Sequence, residues 1–157
     1  MYSLVLMLHS WLRWVLLLAA IAVVLRAVMG LRARKLWGSA DDRGLLFLTI
    51  IFDIQVLLGL VLYVALSPVI GVAFQNIGAA MRNGAVRFFL VEHMFGMLVA
   101  VALAHVGRVK VRKASDARAK HRLALTFVLL SLIVLVLSIP WPGTPADRPL
   151  FRFSMTQ

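Results

Sequence analysis

Four nearly unbroken apolar runs, at about residues 4–25, 44–66, 88–106 and 123–139, are separated by short polar connections. A helix rises about 1.5 Å per residue and a bilayer's hydrocarbon is about 30 Å thick, so each run is long enough to cross, the fourth being the shortest. Hydrocarbon offers no water to backbone N–H and C=O groups, so runs of this length are expected to be helical. The pattern predicts an all-α fold, an antiparallel four-helix membrane bundle built as a single domain over residues 1–157. Pro140 and Pro142 stop the last helix. The N-terminal run has no basic leader, carries Arg13 inside it and exceeds signal-peptide length, so it reads as a retained span.

Composition excludes much else. Of the 157 residues, 62% are apolar and 15% charged, against about 25% charged in an average soluble domain. The mean hydropathy is +0.96. A soluble domain is ruled out, and four spans leave no length for a nucleotide-binding fold. The chain has no cysteine, which excludes disulfide chemistry, thiolate metal sites, iron–sulfur clusters and covalent haem attachment.

The net charge of +11 comes from 17 basic and 6 acidic side chains. Arg26, Arg32, Arg34, Lys35 and Arg43 occupy the first connection. Arg108, Lys110, Arg112, Lys113, Arg118, Lys120 and Arg122 occupy the third. The second connection carries Arg82 and Arg87, and the tail Arg148 and Arg152. By the positive-inside rule both termini face away from the cytoplasm. The charge is thus an orientation signal, anionic lipid is its natural counterpart and no nucleic-acid partner is expected. Trp11, Trp14 and Trp141 fall toward the outer ends of their spans, as an aromatic belt does. Residues 67–84, rich in Gly and Ala, read either as an outer loop or as a segment lying on the bilayer surface.

Candidate chemistry lies in the polar residues that the spans carry at a cost. These are His9 and Arg13 in span one, Asp53 and Gln55 in span two, and Glu92, His93 and His105 in span three. His9 and His93 each lie about 7–8 Å below the outer edge, so they are level. Two level imidazoles on different helices can supply both axial ligands of a b-type haem. On a helical wheel His93 shares a face with Gly96, Ala100 and Ala104, leaving room for either a flat macrocycle or a close neighbouring helix. Arg13 and Arg87 are candidate partners for haem propionates, with Asp53 or Glu92 competing for Arg13. The same residues also suit plain helix-to-helix hydrogen bonding. His105, about 18 Å further along the helix, and His121 offer a second haem site at the inner end or are solvated interfacial histidines. Asp53 and Gln55 lie about 200° apart and address different neighbours. Asp53 suits a proton relay or a counter-ion, while Gln55 and Gly59 share a face suited to a close helix contact or a quinone carbonyl.

The segments LHSWLRWVLLL, DIQVLLGLVLY, AVRFFLVEHMFGM followed by AHVGR, and SIPWP resemble the short bacterial four-helix membrane proteins described as cytochrome b-like, over nearly the whole chain. The resemblance implies haem at His9 and His93. A more distant likeness is to the bacterial four-helix protoporphyrinogen oxidases and copper-resistance membrane domains, although a lysine of the oxidase pattern is missing from span three. The resulting expectation is a multi-pass cytochrome-like protein of the bacterial inner membrane, relaying electrons with a quinol pool or partner subunit. A non-catalytic accessory subunit of a larger membrane complex and a porphyrin-handling oxidase are the alternatives. Partner subunits or a homo-oligomer are expected in either case.

Overall fold

A computed structural model describes residues 1–152. The described residues are mostly helical and contain no strand. The long helices are α1 (Tyr2–Arg32), α2 (Ser39–Val61), α6 (His93–Lys113) and α7 (Ala117–Leu137). Between α2 and α6 lie three short helices, α3 (Pro68–Gln75), α4 (Ile77–Arg82) and α5 (Gly84–Arg87). Two π-helical turns, Leu62–Leu66 and Phe88–Glu92, extend α2 and introduce α6. Four helical stretches, Tyr2–Arg32, Ser39–Leu66, Gly84–Lys113 and Ala117–Leu137, are long and apolar enough to cross a membrane. They outrun the apolar runs at the basic connections, because a helix needs only backbone bonds to continue past its apolar stretch.

Around the bundle α1 contacts α2 and α7, and α6 contacts α2 and α7, which sets α1 and α6 on a diagonal. The core is built from small and aliphatic side chains, among them Leu16, Ala20, Leu48, Phe52, Ala100, Ala104, Val128 and Leu135. Large apolar residues also point outward on the long helices, for instance Leu18, Leu57, Phe95 and Leu137. An apolar exterior is what lipid requires, and it explains why the helices lack a clear polar face.

Local signals set the helix ends. At the C-terminus of α1 Arg34 adopts a left-handed φ of 48° and Lys35 N–H bonds to Gly30 O at 3.0 Å. That pattern is a Schellman closure. The Asp41 carboxylate accepts Gly38 N–H at 3.0 Å and pairs with Arg26 at 2.8 Å, tying the start of α2 to α1. Asp41 and Asp42 also place negative charge at the positive end of the α2 dipole. Asp116 caps α7 by accepting Ala119 N–H at 2.8 Å.

The α6–α7 contact is the most extensive in the bundle. Gly96, Ala100, Ala104 and Gly107 face it, and Ser131 Oγ donates to Ala100 O at 2.7 Å from a fully buried position. Of the two occupants that the small-residue stripe leaves open, the structure has the close helix: a Cβ on Gly96 would overlap the Ser138 hydroxyl. Gly96 therefore makes room for the end of α7. Ser131→Ala should lower stability by about 0.5–1.5 kcal/mol, the range for one interhelical hydrogen bond. Unfolding in graded SDS would measure it, and an unchanged midpoint would mean that the bond contributes nothing.

Residues 67–84 are neither loose nor extended. Ser67, Asn76 and Asn83 cap α3, α4 and α5 in turn. Ile70, Ala73, Ala80 and Leu90 form a second small core with Tyr63, Val86 and Phe89 packed on it. These helices close the end of the bundle that carries the N-terminus, opposite the basic end. The tail after Ile139 returns over that same end, where Trp14 Nε1 donates to Leu150 O at 3.1 Å and Phe151 stacks on Trp14 at 5.2 Å.

Candidate functional site

The sequence places His9 on α1 and His93 at the first residue of α6, and the diagonal arrangement turns them toward each other. Their ring centroids lie 6.2 Å apart with the planes at 76°. Both line a cavity of about 120 Å³ beneath the α3–α5 cap and the returning tail, together with Arg13, Gln55, Tyr63 and Met97. A smaller cleft of about 40 Å³ reaches the same two rings from the side, between Val56 and Leu60 of α2 and Met94 and Leu98 of α6.

The π-turns shape this chamber. His93 N–H bonds to Phe88 O and Ser67 N–H to Leu62 O, five residues back in each case. Tyr63 crosses from one turn to the other and donates to Leu90 O at 2.9 Å. Single π-turns inside α-helices often mark functional sites, because the extra residue re-aims the side chains that follow. Here the side chain that follows is His93.

Hydrogen bonding constrains the rings. His93 Nδ1 lies 2.7 Å from Ser138 O. A carbonyl only accepts, so Nδ1 carries the proton and Nε2 keeps its lone pair. Gln55 Nε2 donates to His9 O at 3.0 Å and lies 3.4 Å from His9 Nε2, a long contact. His9 Nδ1, Gln55 Oε1 and Arg13 Nε have no partner among the described residues, although all three are buried. Buried polar atoms usually find partners, so among the described residues of this cluster these three atoms are the ones left to meet a ligand or water. Gly59 lets the His9 ring lie against α2, since a Cβ there would sit 3.1 Å from His9 Cε1.

Arg13 is buried in the cavity wall, its Nη2 donating to Leu150 O at 2.7 Å; neither Asp53 nor Glu92 is its partner. Arg87 and Glu92 instead form an exposed ion pair at 2.8 Å, and Arg87 does not line the cavity. Asp53 and Gln55 do face different neighbours: Gln55 reaches His9, and Asp53 pairs with His105 at 2.7 Å on the lateral surface. His105 and His121 are held by different surroundings. His121 is 2% exposed, packed on Gly30 and 4.9 Å from the Trp37 ring, with neither nitrogen hydrogen-bonded among the described residues.

Several wall residues carried no sequence signal. Arg148 and Arg152 line the cavity mouth from the tail, and Arg148 lies over the Phe89 ring at 5.1 Å. Ser138 contributes a backbone carbonyl, which no side-chain pattern reveals. Tyr63 bears a hydroxyl at the end of an apolar run, and its periodicity matches that of its apolar neighbours. Among the described residues no group of three or more His, Asp or Glu side chains converges as metal ligands, so the nitrogen donors at this site are the two imidazoles.

No family model, curated protein or solved structure matches this chain.

Proposed function

We propose that this chain is a multi-pass protein of the bacterial inner membrane, with both termini outside, that holds one b-type haem between His9 and His93 and relays electrons. The observation that carries this reading is the pair of diagonal histidines 6.2 Å apart, one already fixed by the Ser138 carbonyl. At that separation the two rings would each offer one nitrogen to a shared iron. The unpartnered His9 nitrogen supports the same conclusion. The orientation rests on the basic connections, which gather at one end of the bundle.

Bound there, a haem supplies a one-electron iron couple. The chain's own residues do the rest. Nδ1–H donation to Ser138 O holds the His93 ring and raises the basicity of its Nε2. Gln55 anchors the His9 backbone. Arg13, buried and with Nε unpartnered, supplies positive charge for an acidic edge, and Arg148 adds more at the mouth. Arg87, committed to Glu92, has no part in this assignment. The enclosed volume is below the roughly 300–1,000 Å³ of ordinary ligand pockets, so much of a macrocycle would have to extend into the mouth and the lateral cleft. That cleft is also the route open to a lipid-soluble electron donor such as a quinol.

A reduced-minus-oxidised visible spectrum of the protein purified from haem-replete cells tests the proposal. The parent protein should show paired haem bands, His9→Ala should lose them, and Arg87→Ala and His105→Ala should keep them. A colourless parent protein would overturn the reading. Bands lost in His105→Ala but retained in His9→Ala would move the site elsewhere.

A further inference from the structure

An open notch of about 250 Å³ lies at the basic end of the bundle, between the start of α2 and the end of α6. Arg43 of α2 and Arg108 and Arg112 of α6 line it, over a floor made by Leu45 and Leu46. Arg108 and Arg112 stand one helical turn apart, so their guanidinium groups share one face of α6. Asp42 also lines the notch, but its carboxylate accepts Trp37 Nε1–H at 2.7 Å. Arg43 reaches only Ser39 of its own helix, at 3.3 Å. Among the described residues none of the three arginines has an ion-pair partner. Three like charges thus converge on one concavity without a paired counter-charge, which is unfavourable until an anion enters.

Two features choose the anion. Every cation in the lining is an arginine, although Lys35, Lys110, Lys113 and Lys120 lie at the same end of the bundle. A guanidinium fork binds phosphate oxygens in pairs, which an ammonium cannot do. Depth is the second feature. Arg43 immediately precedes the apolar run of residues 44–66, and Arg108 closely follows that of residues 88–106, so the notch straddles the edge of the hydrocarbon, where phospholipid phosphates lie. Leu46 in the floor and Ile50 one turn further in are exposed and apolar, so a ligand with an acyl chain keeps contact with protein below its phosphate. We propose that this notch seats the phosphodiester of an anionic phospholipid of the inner leaflet. Arg108 and Arg112 grip the phosphate from α6, and Arg43 closes on it from α2. A zwitterionic lipid would bring its own ammonium against three guanidinium groups. The proposal rests on the reading of the four helices as membrane spans, and not on haem.

Native mass spectrometry of the protein released from nanodiscs of phosphatidylglycerol and phosphatidylcholine in equal parts tests the site. The 17.4 kDa chain should retain phosphatidylglycerol in preference to phosphatidylcholine. The double variant Arg108→Gln with Arg112→Gln should retain about tenfold less of it, from two lost charge contacts. Neither side chain is buried, so helicity by circular dichroism should be unchanged. Arg34→Gln with Arg118→Gln removes the same charge from exposed positions at this end, outside the notch, and should retain lipid as the parent protein does. Inorganic phosphate should displace the lipid no better than chloride at the same ionic strength. Equal retention of the two lipids by the parent protein, or equal loss in both double variants, would overturn the proposal. Displacement specific to inorganic phosphate would overturn it by assigning the notch to a soluble phosphate. A chain that fails to enter nanodiscs would overturn the spanning reading as well, whereas one that enters without retaining anionic lipid overturns this proposal alone.

Discussion

His93→Ala is expected to yield a colourless protein from cells in which the parent protein carries haem, and to regain most of its absorbance when free imidazole is added. The substitution removes one axial nitrogen and leaves a ring-sized space beside Ser138. Imidazole fits that space, can donate one N–H to the Ser138 carbonyl and can present its other nitrogen to iron. Two effects have to be kept apart. Deleting the ring also leaves a buried carbonyl without its donor, at a cost of about 1–3 kcal/mol, which would lower the unfolding midpoint without bearing on iron. His93→Gln separates them, because an amide N–H can still serve Ser138 O while no imidazole remains. It should fold close to normally and stay colourless. An unchanged spectrum in either variant would remove His93 from the ligand set, whatever happened to stability.

Gly107→Ala should be among the most damaging single-methyl additions in the chain, costing about 1–3 kcal/mol or more, whereas Gly71→Ala should cost nothing. A Cβ on Gly107 would overlap Phe127 Cβ and approach Phe127 Cγ to 3.1 Å. Phe127 Cβ is fixed to its backbone, so no rotamer change clears it and α6 must separate from α7. That separation also loosens the Ser131–Ala100 hydrogen bond in the same contact. At Gly71, by contrast, a Cβ meets nothing within 4 Å, and the lower entropy of the unfolded chain should raise stability by up to about 1 kcal/mol. Graded-SDS midpoints for the two variants measure the difference directly. Equal midpoints would mean that α6 and α7 do not pack as closely as described.

Arg13 and the returning tail explain why some of the site could not be read in advance. Arg13 is legible as a costly intramembrane cation, and Asp53 and Glu92 on other spans are its candidate carboxylates. Its actual partner is the Leu150 carbonyl, 137 residues away, a backbone atom identical in kind at every position. Arg87 shows the same limit at short range. Whether it joins a cavity or pairs with Glu92 depends on a π-turn, and that extra residue per turn leaves no mark in the hydropathy. Residues 67–84 were open between two readings because short capped helices of Gly and Ala need a floor to pack on, and that floor, Leu90 and Phe89, belongs to another helix.

The sequence alone determined what depends on local repetition. Apolar runs of membrane length, alternating with two basic connections, specify four helices and the end at which charge collects. The fixed rise and rotation of a helix place His9 level with His93 and turn Asp53 away from Gln55. Tertiary structure decided which of these groups meet. It put α1 and α6 on a diagonal so that the histidines face each other, gave the Gly96 stripe to α7, sent Asp53 to His105 on the open side, and brought the tail over Arg13. The physical reason is range: periodicity encodes direction from the helix axis, whereas partner choice is settled by close packing between segments that only the folded bundle brings together.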